Sequence, residues 1–335
     1  MSERDALKNL VERFGELRIG VVGDLVADTY VTGTTDRVSR EAPVLIVRVT
    51  KEELVPGGAA NVACNLSALG AKVRLFGVIG EDTIGTRLQE QLVKCAIDTS
   101  GVYCDSKYGT VRKTRILAGG THTLAQQVMR VDYEPSKPPC REIMAKIEED
   151  IAKADGEIDG WIISDYGYHL IDEAIGRMMQ KVAKNKPVLA DSRYHIGQFT
   201  DLTAIKPNEQ EALDAAEIKT GRSKVDIVNV AEKLKSQTRS QAVIVTLGNQ
   251  GMLVYRDKQD YKLVPADGTD KIIDLTGAGD TAGSTLILSL AAGADFYQAA
   301  ELANCAGSVV VMKYGCACCY PQELMDVIDE YVGKS

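Results

Sequence analysis

Apolar residues in this chain come in short uninterrupted runs, separated by stretches whose apolar positions recur every three or four residues. Residues 18–23 (Arg-Ile-Gly-Val-Val-Gly) form the first run, too short for a helix and closed by Gly-Asp, which predicts a buried strand. Runs at 73–79, 160–163, 187–190, 204–206 and 242–247 predict further strands of the same kind. Helical spacing covers 85–94 and about 141–154, 171–184, 208–216 and 224–236, and Gly57-Gly58-Ala59-Ala60-Asn61 opens a small-residue helix ending near Leu69-Gly70. Strands that are apolar on both faces and alternate with helices predict an α/β fold: a mostly parallel central sheet with helices on both faces.

Three segments break that rhythm. Residues 44–49, 111–117 and 126–131 are rich in β-formers, and the last two flank Gly119-Gly120, a hairpin signal. They predict a small antiparallel sheet projecting as a lid, or else an extension of the main sheet's edge. With no repeat or low-complexity linker, residues 1–335 are expected to form a single domain, the lid inserted at about 31–51 and 109–133.

Composition narrows the field. A net charge of −8 argues against a nucleic-acid backbone as the partner, so any phosphate must bind at a local site. No run of 18 apolar residues and no apolar leader occur, so the expectation is a cytoplasmic protein that does not span a membrane. The eight cysteines are expected to be reduced, and Cys316-Ala317-Cys318-Cys319 lacks the second pair that a metal site needs. His122, His169 and His195 are isolated.

The chemistry concentrates at 274–283 (Asp-Leu-Thr-Gly-Ala-Gly-Asp-Thr-Ala-Gly). Gly277 and Gly279 permit a tight turn that points N–H groups into a concavity, and a helix N-terminus adds positive charge there, which makes an anion cradle. Asp280 on its lip is either a base for an attacking hydroxyl or an ordinary first-turn carboxylate. The segment 80–87 has P-loop glycine spacing without the lysine, and the first strand ends without Gly-x-Gly-x-x-Gly. Asp24 and Asp28 follow the first strand, where carboxylates can grip sugar hydroxyls, and Gly57-Gly58 before Asn61 allows close approach to a ligand. Asn208 and Glu211 lie one helical turn apart, fit for a metal's water shell or for a capping box, the spacing alone favouring the box. Residues 246–251 (Thr-Leu-Gly-Asn-Gln-Gly) make a phosphate-side turn or a hairpin.

In this order the segments resemble the ribokinase/PfkB family of ATP-dependent sugar kinases over nearly the whole chain. The family's first signature matches Pro56-Gly57-Gly58-Ala59-Ala60-Asn61-Val62-Ala63 with Leu69-Gly70 and 77–82, and its second matches 274–280. The resemblance implies a ribokinase-like fold with a β-sheet lid, and a homodimer formed through that lid. It implies Asp280 as catalytic base and Gly277, Ala278 and Gly279 as the anion hole. Asn208, Thr246, Gly248, Gly251 and Asn304 would meet ATP, with Mg²⁺ held through water near Asn208 and Glu211. Asp24, Asp28, Gly57, Gly58 and Asn61 would hold the sugar, and a K⁺ ion would sit near Asp274, Thr276 and Gly315, beside the cysteine-rich loop. Residues 37–44, 126–132 and 164–167 further resemble the kinases of D-glycero-β-D-manno-heptose 7-phosphate, which implies phosphorylation at an anomeric hydroxyl. Those enzymes continue with lysine and glycine where this chain has Tyr168-His169, and some carry a fused adenylyltransferase domain, which is not expected here. Arg37, Arg40, Lys113 and Arg115 are candidates to meet an acceptor phosphate. The rival expectations are another acceptor (a pentose, a ketohexose phosphate or a nucleoside) and a sugar- or nucleotide-binding regulator without activity.

Overall fold

The computed structural model describes residues 2–119, 125–218, 226–266 and 272–331. Its strands are β1 (Arg18–Gly23), β2 (Leu25–Val38), β3 (Leu45–Gly58), β4 (Lys72–Gly80), β5 (Asp98–Asp105), β6 (Val111–Gly119), β7 (Gln126–Tyr133), β8 (Gly160–Asp165), β9 (Val188–Ser192), β10 (Ala204–Ile205), β11 (Ala242–Thr246), β12 (Met252–Tyr255) and β13 (Tyr261–Val264). The central sheet runs β13-β12-β11-β10-β9-β8-β1-β4-β5, parallel from β11 to β5, with β12 and β13 antiparallel at one edge. β1 and β8 are wholly buried but for Arg18, as strands covered on both faces must be.

Helices fill both faces. On one, Ala59–Ala68, Ala278–Ala291, Phe296–Val310 and Pro321–Tyr331 pack Leu66, Leu286, Leu302 and Leu324 against Ile19, Val21 and Leu75. On the other, Arg141–Ala154, Glu173–Val182, Glu209–Ala215 and Ile227–Thr238 pack Ile147, Ile175, Ala212 and Leu234 around Trp161 and Ile163. The predicted α/β architecture is the one found, and the expected helix over 141–154 matches to the residue. β5 and β13, which have exposed or alternating positions, and β12, a buried run of only four residues, were not among the expected strands.

The second sheet runs β3-β2-β6-β7 and forms the lid. It is not purely antiparallel as expected: β2–β3 and β6–β7 are antiparallel pairs joined by parallel pairing of β2 with β6. It also reaches further inward than expected. β2 starts at Leu25, one residue after β1 ends, and β3 ends at Gly58, directly before the helix Ala59–Ala68. Lid and core therefore meet at the two segments that carry Asp24 and Gly57-Gly58. The turn containing Gly120, and His122 with it, lies outside the described residues.

Candidate active site

Chain order departs from β1 in opposite directions, toward β4 and β5 on one side and toward β8 and its successors on the other. In an open α/β sheet such a switch point leaves a crevice at the strands' C-terminal ends. There the Asp24 amide donates to the Ser164 carbonyl (3.0 Å). Asp24 Oδ2 accepts from the amides of Tyr166 (2.8 Å) and Tyr168 (3.1 Å), while Oδ1 is buried with no hydrogen-bond partner. Burial pushes its carboxyl up to about 6, against those amides. Asp28, expected only to follow the first strand, lies on β2, where it pairs with Arg115. The glycines explain themselves here. A Cβ at 57 would stand 2.3 Å from Asp28 Oδ2, and one at 58, whose φ is +56°, would stand 2.6 Å from the Asp24 carbonyl oxygen.

The cradle lies across the crevice. Gly277 (φ +80°) caps the helix Ala278–Ala291, which places Asp280 in its first turn, buried. Asn61 Nδ2 donates to Asp280 Oδ2 at 2.6 Å, and the Tyr166 hydroxyl donates to Oδ1 at 2.9 Å. Asn65 Nδ2 donates to the Asn61 carbonyl and to its Oδ1, which fixes the Asn61 amide with its N–H side toward Asp280. Burial raises the Asp280 carboxyl to about 6; Asp191 adds to this, and Asn61, Tyr166 and Lys206 oppose it. A base in that range is deprotonated at neutral pH yet still basic. Upstream, Asp274 ties the loop down, accepting from Thr276 N and Oγ1 on one oxygen and from Gly315 N on the other. Burial alone would raise its carboxyl; those hydrogen bonds outweigh it and hold it below the usual value.

Toward β11, Asn208 and Glu211 form the capping box that their spacing favours. Asn208 Oδ1 accepts from Glu211 N (2.9 Å), and Glu211 Oε2 accepts from Asn208 N (2.8 Å). Asn208 bridges to Thr246 at the end of β11, so these two residues stand together. Gly248 (φ +59°) and Gly251 (φ +93°) make the tight turn between antiparallel β11 and β12, the hairpin alternative of the sequence. A Cβ at 251 would stand 2.1 Å from the Val264 carbonyl oxygen, so this glycine serves the turn itself. Asn304 donates its Nδ2 to the Val264 and Pro265 carbonyls, which pins β13 to the helix Phe296–Val310.

Three residues at this crevice went without a site role in the sequence. Tyr166 lay in a recognised segment but not among the candidates, and Asp191 and Lys206 form a buried pair (2.9 Å) next to Asp280. A signal for Lys206 was present: a lysine ending an apolar strand run must be paired or functional, because burying its charge alone is costly. The two described histidines line one pocket with Asp165. His195 Nδ1 faces Asp165 Oδ2 (3.0 Å), and His169 takes a left-handed conformation (φ +71°) that glycine holds more easily. Among the described residues no group of three or more His, Cys, Asp or Glu is placed to hold a metal ion. Cys316 lies beside the cradle instead, Sγ 3.9 Å from Asp28 Oδ2. No described helix is long and apolar enough to cross a membrane.

The sequence profile of the pfkB family carbohydrate kinases matches residues 17–323. The chain is 35% identical over 317 residues to the "Bifunctional protein HldE" of Helicobacter hepaticus, covering 93% of this chain and 64% of that protein. It is 36% identical over 331 residues to the protein of the same name from Pseudomonas aeruginosa, covering 98% and 67%. The chain thus spans about two thirds of the length of such relatives. Its fold is that of Arabidopsis thaliana ribokinase complexed with ribose and ATP (TM-score 0.72, 17% identity, 93% and 98% covered). It is equally that of Escherichia coli phosphofructokinase-2 in complex with potassium (TM-score 0.74, 18% identity, 94% and 99% covered).

Proposed function

The chain belongs to the pfkB family of carbohydrate kinases, ATP-dependent enzymes acting on sugars, and from that premise we propose that its acceptor is a phosphorylated heptose, phosphorylated here at the anomeric hydroxyl. The observation that carries the phosphorylated acceptor is Lys113. This lysine is buried on β6, its Nζ 5.0 Å from the Tyr166 ring centre and 5.6 Å from that of Tyr168, with no carboxylate of the described residues in ion-pair reach. Burial pulls its pKa down despite the attraction of Asp28 and Asp132, and an acceptor phosphate would supply the close partner that neither carboxylate provides. Tyr168, standing where the heptose kinases have lysine, covers this cation with a ring and donates its hydroxyl to Glu134 (3.1 Å). The heptose itself rests on the lid segments at 37–44 and 126–132 and on the HldE proteins.

In this reading the acceptor lies between Asp24, Asp28, Gly57, Gly58 and Asn61, and Asp280 receives the proton of the attacking hydroxyl. The γ-phosphoryl group lies against the amides of Gly277, Ala278 and Gly279, where a helix N-terminus attracts anions. ATP extends toward Thr246, Gly248, Gly251 and Asn304. Magnesium, when bound, neutralises phosphate charge. Glu211 keeps one carboxylate oxygen outside the capping box, which fits a water-mediated Mg²⁺ shell better than direct ligation by Asn208, whose oxygen is occupied. A K⁺ ion near Asp274 and Thr276 would need main-chain oxygens, because both Asp274 carboxylate oxygens already accept hydrogen bonds. The lid exposes Val38, Leu45, Val49, Val128 and Met129, an apolar surface suited to a second copy of the chain.

ADP release measured across a panel of heptose 7-phosphate, hexose phosphates, pentoses and nucleosides tests the acceptor, and phosphorus NMR of the product locates the new phosphate. Lys113→Met is expected to raise KM for the phosphorylated acceptor by about tenfold or more, the loss of one charge-assisted contact, with kcat little changed. Turnover of an unphosphorylated sugar at comparable kcat/KM, unaffected by Lys113→Met, overturns the phosphorylated-acceptor reading.

A further inference from the structure

Lys206 lies beneath the cradle, and the reading above gives it no task. Its amide donates to the Ala190 carbonyl (2.8 Å), which continues the β10–β9 register and sets it beside Asp191. Nζ stands 2.9 Å from Asp191 Oδ2, the side chains 4% and 18% exposed. A buried ion pair adds little stability over a well-packed apolar pair, so folding alone is weak reason for this one.

The helix beside it supplies a reason. Gly279 and Gly283 are one turn apart on one face of Ala278–Ala291, leaving that face bare. A methyl group at 283 would stand 3.4 Å from Lys206 Cε and 3.6 Å from Asp191 Oδ2, whereas one at 279 would stand 3.9 Å from Lys206 Nζ. The lysine chain therefore climbs the bare face toward the helix N-terminus. Its ammonium is the group nearest position 279 in the helix's first turn, while Asp191 Oδ2, 2.9 Å from it, faces position 283. Of its three N–H donors, Asp191 occupies one.

We infer that Lys206 is a catalytic residue, its ammonium binding the γ-phosphoryl oxygens of the nucleotide in the Gly277–Gly279 cradle and remaining on them through transfer. It supplies the cation that the lysine-free glycine segment at 80–87 lacks. The acceptor oxygen bonds to the γ-phosphorus as the bond to the β,γ-bridging oxygen breaks. The electron pair leaves on ADP, the hydroxyl proton passes to Asp280, and Lys206 forms no covalent bond. Charge on the transferring group's equatorial oxygens is met by a fixed, water-shielded cation, which counts for more there than in solvent. Asp191 is a positioning residue that holds the ammonium at this height in the free enzyme.

The inference rests on the kinase reading, and nucleotide binding separates the two. Calorimetry on the full chain with Mg²⁺ compares the non-hydrolysable analogue AMP-PNP with ADP. Lys206→Met is expected to weaken the analogue about tenfold or more and ADP less than about twofold, because ADP has no γ-phosphoryl group to lose. Asp191→Asn combined with Lys206→Met removes both charges, so no unpaired carboxylate stays buried, and its thermal stability is expected to recover. Its analogue-to-ADP ratio is not. If Lys206→Met alone does not fold, the double variant is read in its place. An unchanged ratio in the folded variant, or one restored in the double variant, overturns the inference and leaves the kinase reading intact. A wild-type chain that binds neither nucleotide overturns both.

Discussion

Two helices in this protein begin the same way. Gly58-Ala59-Ala60-Asn61 and Gly277-Ala278-Gly279-Asp280 each place a glycine with positive φ at the cap and an amide or its isosteric acid three residues later. The two side chains meet: Asn61 Nδ2 lies 2.6 Å from Asp280 Oδ2. Two glycine-capped helix starts thus deliver a donor from one side of the crevice and an acceptor from the other. What differs is small and decides everything chemical. One start ends in a neutral amide, the other in a buried carboxylate raised toward neutrality by its burial. One has Ala60 packed in the core, the other has Gly279, where a Cβ would stand 3.9 Å from Lys206 Nζ. In the proposed mechanism only the second takes a proton and receives a phosphoryl group, so the first start holds and the second reacts.

Making the two starts alike at that third position is the severest test. Asp280→Asn leaves two amides facing each other and no base. Turnover is expected to fall by about a thousandfold or more, at the upper end of what a positioned base contributes, while ADP affinity stays near wild type. Steady-state ADP release together with calorimetry reads both quantities. Turnover within about tenfold of wild type would show that Asp280 is only a first-turn carboxylate of its helix.

The caps break the comparison at a second level. Gly277 needs φ +80° with ψ −2°, a left-handed region that alanine enters at about 1–2 kcal/mol. Gly58 needs φ +56° with ψ −135°, which is closed to a side chain, and its Cβ would meet the Asp24 carbonyl oxygen at 2.6 Å. Gly58→Ala is accordingly expected to destabilise the fold by about 3 kcal/mol, more than Gly277→Ala does. Gly277→Ala still damages the site, because its Cβ would lie 2.9 Å from the Asn61 amide nitrogen. Denaturant unfolding of the two variants orders them, and equal losses would mean that the crevice relaxes around either methyl.

Much of this was legible in the chain because local chemistry fixed it. Buried runs without polar positions can only be covered strands, and a glycine pair before a small-residue helix can only bring backbone close to something. The alternation therefore gave the central sheet, and residues 274–280 gave the cradle. Asn208 and Glu211 were readable as a capping box from spacing alone, since that bond is local. What failed to show was non-local. Asp28 lies on a lid strand because β2 resumes one residue after β1, which no propensity reveals. The parallel β2–β6 pairing joins segments about eighty residues apart, and the Tyr166–Asp280 bond crosses the sheet's switch point. Lys206 closes an apolar run, and the pairing with Asp191 that marks it is non-local.

That Tyr166 bond gives the smallest and sharpest expected effect. The proposed mechanism needs Asp280 deprotonated, so kcat/KM is expected to rise with pH through about 6 and level off above it. The same shift acts on folding in the opposite sense. A carboxyl whose folded pKa lies above its unfolded value of 3.8 favours the fold below that value, and this contribution is lost as pH climbs through about 6. Asp24, also raised to about 6, adds to the loss, so the enzyme is most active where these two groups stabilise it least. The Tyr166 hydroxyl opposes the rise by donating to the Asp280 carboxylate. Tyr166→Phe removes that donor without touching Asn61. The acid limb is then expected to move up by about half a unit to one unit, with the alkaline plateau falling less than about tenfold. A limb that stays in place while the plateau drops would reduce Tyr166 to packing, and would leave Asn61 as the side chain that sets the base.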